Sequence, residues 1–175
     1  MKEIAIRDLS INPMTMFGEE WCLAAAGNEA NGYNAMTIAW GHLGTTWDRY
    51  TPKGKIMIPT AVVYIRPQRY TKEFFDREDL FTICSFAGKY KKALGYMGTH
   101  SGRDGDKVAK AGLTPVFAEN TTYFAQASRV FICRKRYHAP LREEGFLDAH
   151  LLKENYPQHD YHVMYIGEIL KVLEA

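Results

Sequence analysis

The sequence has few of the features that mark a self-sufficient catalytic centre. No Gly-x-Gly-x-x-Gly or Gly-x-x-x-x-Gly-Lys-[Ser/Thr] follows a strand-like run, so the common dinucleotide and P-loop fingerprints are missing. No Gly-x-Ser-x-Gly elbow is present. The six histidines, at positions 42, 100, 138, 150, 159 and 162, never take His-Glu-x-x-His spacing. His159 and His162 stand at the start of a strand-like run, where a separation of three sends side chains to opposite faces. Cys22, Cys84 and Cys133 are an odd number of cysteines, widely spaced and each inside an apolar run, with no Cys-x-x-Cys. They read as reduced, buried thiols and offer no zinc site. Charge of one sign is also lacking: 22 basic against 20 acidic residues leave a net +2, too little to argue for nucleic acid or an anionic membrane surface. No apolar run approaches membrane-spanning length, and the N-terminus lacks a signal-type apolar region, so a cytoplasmic protein is expected. Carboxylates fall mostly on expected helix faces and loops, which gives a paired-carboxylate mechanism no support.

A length of 175 residues suits one domain, 1–175, with a full core. Its 11 tyrosines and 9 phenylalanines fit a β-rich core or a site that holds a flat ring.

The chain is organised around Ala61–Thr71. Five apolar residues, Ala61 to Ile65, predict a strand buried on both faces. Pro67 ends it and makes Arg66 its last residue. A helix is expected from Thr71, with capping chemistry in Thr71-Lys-Glu-Phe and an apolar face of Tyr70, Phe74 and Phe75. Two arginines, a hydroxyl and a helix start in so few residues suggest an anion site, most simply for phosphate. The same residues also suit a plain strand-to-helix turn with solvated arginines.

Around this stretch, Trp21–Ala26 reads as the first strand and Asn31-Gly32 as a hairpin turn. Asn34–Trp40 reads as the second strand, with Asn34, Met36, Ile38 and Trp40 on one face. Gly44–Thr60 looks loop-like, with a short strand at Ile56–Ile58 inside it. Phe81–Phe86 is a strand, and Tyr90, Ala93, Leu94 and Met97 line one face of a helix. Ser101 and Asp104 fit a Ser-x-x-Asp helix start, and with Gly102 and Arg103 they offer a second anion cradle or a simple cap. Tyr123–Tyr137 predicts one long strand or a bulged pair, and Arg134-Lys135-Arg136 reads as a solvated strand end. A short helix around Leu147–Lys153 precedes a final strand, Val163–Leu173, in which Gly167 suggests a bulge or a close neighbour. The plan is a barrel or α+β fold, mainly β with inserted helices. Two anion cradles beside aromatic-rich strands, without a protein-only catalytic centre, suit a phosphate-bearing aromatic cofactor that brings its own chemistry.

In this order, Asn34-Ala-Met-Thr-Ile-Ala-Trp-Gly41, Val63-Tyr-Ile-Arg-Pro-Gln-Arg-Tyr-Thr71, Phe81-Thr-Ile-Cys-Ser-Phe86, Gly98-Thr-His-Ser-Gly-Arg-Asp104 and Tyr161-His-Val-Met-Tyr-Ile-Gly-Glu-Ile169 resemble the flavin reductase-like family with the FMN-binding split barrel, close to its shorter, flavoredoxin-like bacterial branch. The resemblance runs from about Trp21 to Leu173. It implies a six-stranded antiparallel split barrel, a homodimer, and one FMN per subunit near the dimer interface. Asn34, Ala35, Met36 and Thr37 would line the flavin ring, largely through backbone groups, with Trp40 nearby. Arg66, Arg69, Tyr70 and Thr71 would form the phosphate corner. Cys84, Ser85 and Phe86 would flank the ring or ribityl chain, although many relatives carry Asn where this chain has Cys84-Ser85. Ser101, Gly102 and Arg103 would add a second polar edge, and Lys91 or Lys92 would reach the phosphate. The implied activity is electron transfer from a reduced nicotinamide or a protein donor through FMN to flavin, iron or a partner. The alternatives are an electron-transfer protein without nicotinamide activity and a split-barrel module for another ligand, such as haem or a nucleotide. Cys84 reads from its neighbours as a core thiol, and His162 as a ligand-facing or a structural histidine.

Overall fold

The structure is a computed structural model that describes residues 1–175. Ten strands carry it: β1 (Lys2–Ile4), β2 (Cys22–Asn28), β3 (Gly32–Ile38), β4 (Gly41–Thr51), β5 (Gly54–Ile65), β6 (Leu80–Ser85), β7 (Pro115–Ala118), β8 (Thr121–Phe124), β9 (Arg129–Pro140) and β10 (Val163–Glu174). Five short helices lie between them: α1 (Pro13–Thr15), α2 (Thr71–Arg77), α3 (Lys91–Thr99), α4 (Lys107–Lys110) and α5 (Ala149–Asn155).

One antiparallel sheet runs in the order β3-β2-β6-β9-β10-β5-β4, with β1 laid on β10, while β7 and β8 form a separate hairpin. The six strands from β3 to β5 make the barrel. The sheet path continues to β4, and its two ends, β3 and β4, share no ladder and are joined through the corner Ala39–Trp40, so the barrel is split there. β3 keeps one edge free of strand partners, which leaves backbone N–H and C=O groups open along it.

Period-two alternation divides the apolar residues between two cores. From β2, Cys22, Ala24 and Ala26 enter the barrel beside Phe81, Ile83, Phe131 and Tyr165. Leu23 and Ala25 face outward and meet Cys84, Leu94, Met97 and Phe124, part of a layer that α3 and β8 help build. β2 is therefore buried along its whole length. In β10, Gly167 sits at a bulge, and a Cβ there would come within 2.5 Å of the Phe81 ring. Both readings of that glycine hold.

Five expectations are corrected. Gly44–Thr60 is not a loop: β4 and β5 form a long hairpin that turns at Pro52–Lys53. Much of that hairpin stands in solvent, so its side chains do not alternate by polarity. β5 is not buried on both faces; Ala61, Val63 and Ile65 point into the barrel while Val62 and Tyr64 are half-buried outside it. The first strand is β1, three residues too short to show a pattern. The long strand or bulged pair expected at Tyr123–Tyr137 is two separate elements, β8 and β9, and β8 pairs with the unforeseen β7.

The basic run lies mid-strand, not at a strand end. Lys135 Nζ donates to the Phe75 and Asp76 carbonyls, and Arg136 pairs with Glu168. That carboxylate also takes Arg49, tying β4, β9 and β10 together.

Candidate functional site

The site is built where α2, the Ser101–Asp104 turn, α4 and the free edge of β3 meet. Asn34 and Thr71 are its inner frame, at 5% and 1% exposure. Asn34 Nδ2 donates to Thr71 Oγ1 at 2.9 Å, which locks β3 to the start of α2. Thr71 therefore does not cap its helix, contrary to expectation; Tyr70 holds the cap position without a side-chain bond. Gly102 presses into the same junction. A Cβ at this position would lie 2.5 Å from Asn34 Oδ1 and 3.2 Å from Tyr70 Cδ1, so only glycine lets the third segment approach. Ser101 Oγ accepts from Arg103 N at 3.2 Å and caps a single 3-10 turn, whereas α4 is capped separately by Asp106.

These segments enclose a polar cleft of ≈ 390 Å³, with Arg69, Thr71, Ser101 and Lys107 among its lining. Arg69 reaches across it to donate to the Gly98 carbonyl at 3.0 Å. Lys107 is 5% exposed, yet both its partners are carbonyl oxygens, those of Met97 at 3.1 Å and His100 at 3.0 Å. A buried ammonium without a carboxylate partner is unfavourable. Burial, then the neighbouring Arg69 charge, lowers the Lys107 pKa from 10.5 to about 8.

A narrower groove of ≈ 210 Å³ continues from the cleft along β3. It is lined by the run Met36 to Trp40 on one side and by Tyr64, Arg66, Arg69 and His162 on the other. Met36 and Arg69 line both spaces. Trp40 lies 4.7 Å from the His162 ring, and His162 Nδ1 shares a 2.8 Å hydrogen bond with the Tyr156 hydroxyl. Burial first, with the Arg66 charge, drops the His162 pKa to about 4, so the ring is neutral near pH 7. Beyond Trp40 opens an apolar hollow of ≈ 740 Å³ bounded by Met14, Phe17, Leu43 and Leu141.

The structure thus brings Asn34, Met36, Thr37, Trp40, Arg66, Arg69, Tyr70, Thr71, Ser101 and Gly102 onto one continuous surface. Arg66 is committed to structure as well: its guanidinium pairs with Asp160, donates to the Asn155 carbonyl at 2.8 Å and lies over the Tyr156 ring. Six expected residues lie off that surface. Ala35 points away into the outer core. Cys84, Ser85 and Phe86 sit on or beside β6, two strands from β3 with β2 between. Cys84 is fully buried and its thiol is pushed up to about 12 by burial, which leaves it unreactive. Ser85 bonds Ser128, and Phe86 packs on Phe124 and Tyr90. Arg103 pairs with Glu73 and lies 4.5 Å over the Tyr70 ring. Lys92 is exposed, and its neighbour Lys91 donates to the Glu19 carbonyl. Lys107 is the cleft residue that sequence reasoning missed. In Lys-Val-Ala-Lys nothing separates it from a solvated helix lysine.

No family model matches the sequence, and no curated protein matches it. Solved structures do. The flavoredoxin of Desulfovibrio vulgaris is 21% identical, with a TM-score of 0.64 over 89% of this chain and 69% of its own. An FMN-binding protein from Thermus thermophilus, solved with bound p-hydroxybenzaldehyde, is 14% identical, with a TM-score of 0.64 over 100% of this chain and 82% of its own. The NADH:FAD oxidoreductase of Streptomyces globisporus is 13% identical, with a TM-score of 0.61 over 89% of this chain and 75% of its own. This chain has the split-barrel fold of the flavin reductase-like, FMN-binding proteins.

Proposed function

We propose that the protein is an FMN-binding oxidoreductase that takes electrons from a reduced nicotinamide or a protein donor and delivers them to flavin, iron or a partner. The observation that carries this is the continuity of a cationic polar cleft with a strand-lined groove, joined at Met36 and Arg69. A phosphate needs the first and a flat heteroaromatic ring the second. The donor set fits. Arg69 and Lys107 provide charge, Thr71 and Ser101 hydroxyls, and the free edge of β3 provides backbone donors and acceptors for the ring. Once bound, the flavin would supply the hydride chemistry. The chain's own residues bind and orient. Neutral His162, held by Tyr156, walls the groove without adding a charge beside the ring. No side chain on the groove is assigned as general acid or base.

A homodimer accounts for the exposed apolar residues of the β4–β5 hairpin, Trp47, Tyr50, Ile56 and Met57, and for the hollow beyond Trp40. Three buried, unpaired cysteines suit the cytoplasm, and no helix is long and apolar enough to cross a membrane. The likeness to flavoredoxin favours a second reading, a flavin-carrying electron-transfer protein without nicotinamide activity. The test is the visible spectrum of the purified protein and the mass of any released chromophore, followed by NADH and NADPH oxidation. A flavin spectrum with rapid nicotinamide oxidation is expected. A coloured protein that only a protein donor reduces selects the second reading. A colourless protein that binds no added flavin ends both and returns the barrel to the class of modules for another ligand. Static light scattering checks the dimer.

A further inference from the structure

The connection between β9 and β10 carries a side-chain cluster that neither the cleft nor the groove uses. Leu141 N donates to the His162 carbonyl at 2.8 Å, which continues the β9–β10 pairing and sets Glu143 beside Tyr161. His159 comes from the turn after α5, its N–H donating to the Tyr156 carbonyl at 3.1 Å. We infer that Glu143, His159 and Tyr161 form a binding site for a ferric ion. As the acceptor's site it rests on the proposed function, which names iron among the acceptors.

The geometry of three donor atoms carries it. Tyr161 Oη lies 2.7 Å from Glu143 Oε2 and 2.9 Å from His159 Nδ1, and that nitrogen lies 3.2 Å from the same Oε2. An octahedral ion with ligands at about 2.0–2.1 Å has face edges of about 2.8–3.0 Å, so the triangle has the size of one such face. Hydrogen bonds alone do not fill it. Nδ1 carries at most one proton and the phenol one, so two protons serve three contacts. A cation above the face would engage all three atoms at once. The donor types choose the ion. An imidazole ligand belongs to zinc, copper, iron and nickel rather than to calcium and magnesium, and the two anionic oxygens of carboxylate and phenolate favour the trivalent member, iron.

The mount is firm on one side and open on the other. The Tyr161 ring packs on Tyr156 at 5.1 Å and on Phe146 at 6.1 Å. Asp160 is spent on Arg66 and Gln68 and does not compete. The His159 and Glu143 side chains are 70% and 54% exposed, which leaves the rest of the shell to water or to the oxygens of a chelator. The site also adjoins the groove. Tyr161 precedes the groove-lining His162, whose Nδ1 is bonded to the Tyr156 hydroxyl. On binding, Tyr161 gives up its phenol proton. On reduction each ferric ion takes one electron and leaves as Fe²⁺, and the phenol recovers a proton. The donor of the proposed function supplies the electrons, one hydride of a reduced nicotinamide serving two ferric ions.

The test is a titration of the full chain with ferric citrate, read as a difference spectrum against the metal-free protein, with zinc chloride as competitor. One ferric ion per chain and a visible phenolate-to-iron charge-transfer band are expected. Tyr161→Phe keeps the packed ring and abolishes the band. Glu143→Gln and His159→Asn, the latter suited to the φ of 55° there, weaken ferric binding by at least about tenfold, the smallest loss usual even for groups behind a ligand. All three variants keep the parent's flavin content and nicotinamide oxidation with a flavin acceptor, while ferric citrate reduction falls. No band in the parent, a band that survives in Tyr161→Phe, or displacement of the ferric ion by an equal concentration of zinc overturns the ferric site. A flavin-loaded protein that oxidises nicotinamide without the band leaves the proposed function standing. The band in a protein that binds no flavin keeps the site and overturns the proposed function.

Discussion

Two buried charges in this molecule are treated in opposite ways. Glu168, 7% exposed, accepts from Arg49 Nη2 at 2.9 and 2.8 Å and from Arg136 Nε at 2.8 Å. Burial pushes its pKa up, but the two guanidiniums outweigh that and hold it below the usual carboxylate range. Lys107 is as deeply buried and faces carbonyls, a cavity and the like charge of Arg69. The first charge is satisfied within the chain and ties three strands together. The second has only carbonyl partners within the chain. A buried ionic group matched by its own fold is architecture, whereas one left unmatched beside a cavity is a candidate for binding.

The comparison is broken most forcefully at Glu168. Glu168→Ala strands two partly exposed guanidiniums, and urea denaturation should show a loss of about 2 kcal/mol, less than a wholly buried pair would give because solvent screens Arg49 and Arg136. Flavin affinity should not move. Lys107→Met should do the reverse: stability within about 1 kcal/mol of the parent, since the uncompensated charge leaves with the amine, and flavin affinity down by about tenfold. If Lys107→Met destabilises as much as Glu168→Ala and leaves affinity alone, the two charges are alike and the distinction fails. Gly102→Ala probes the frame instead of the charge. Its Cβ displaces the Asn34 amide from Thr71, and equilibrium titration should show about a fivefold weaker flavin with little loss of stability.

What was legible in the sequence follows from how local each signal is. The end of β5, the start of α2 and the bulge at Gly167 rest on neighbours in the chain, on Pro67 and on a glycine that Phe81 requires. β2, β3 and β6 were equally readable as apolar runs, and α3 by the stripe it buries. The β4–β5 hairpin was not, because it stands out from the core and no burial imposes alternation on it. Within the site, Arg69, Thr71, Ser101 and Gly102 announced themselves by residue type at a turn. The Asn34–Thr71 bond spans 37 residues, and Lys107 becomes distinctive only when α4 folds under the Met97 and His100 carbonyls. The distance of Cys84, Ser85 and Phe86 from the groove depends on β2 lying between β3 and β6, a strand order that no local pattern encodes.

The smallest expected effect is also the most specific to the unmatched charge. With the Lys107 pKa lowered from 10.5 in the unfolded chain to about 8, the unfolded state holds more protons throughout that window. Folding stability of the ligand-free protein should therefore rise as pH climbs from about 8 to 10.5. Subtracting the Lys107→Met profile isolates this contribution from other groups that titrate there. His162, lowered to about 4, produces a slope of the same sign in a separate window, with stability lost as pH falls from 6.5 towards 4. A bound phosphate favours the charged ammonium, so flavin binding above pH 8 should take up a proton and weaken as pH rises. At the alkaline end the parent's affinity should approach that of Lys107→Met. Urea midpoints and flavin titrations at a series of pH values read both effects. A difference profile that stays flat between pH 8 and 10.5 would mean that the fold already compensates Lys107, and the corner would then be architecture like Glu168.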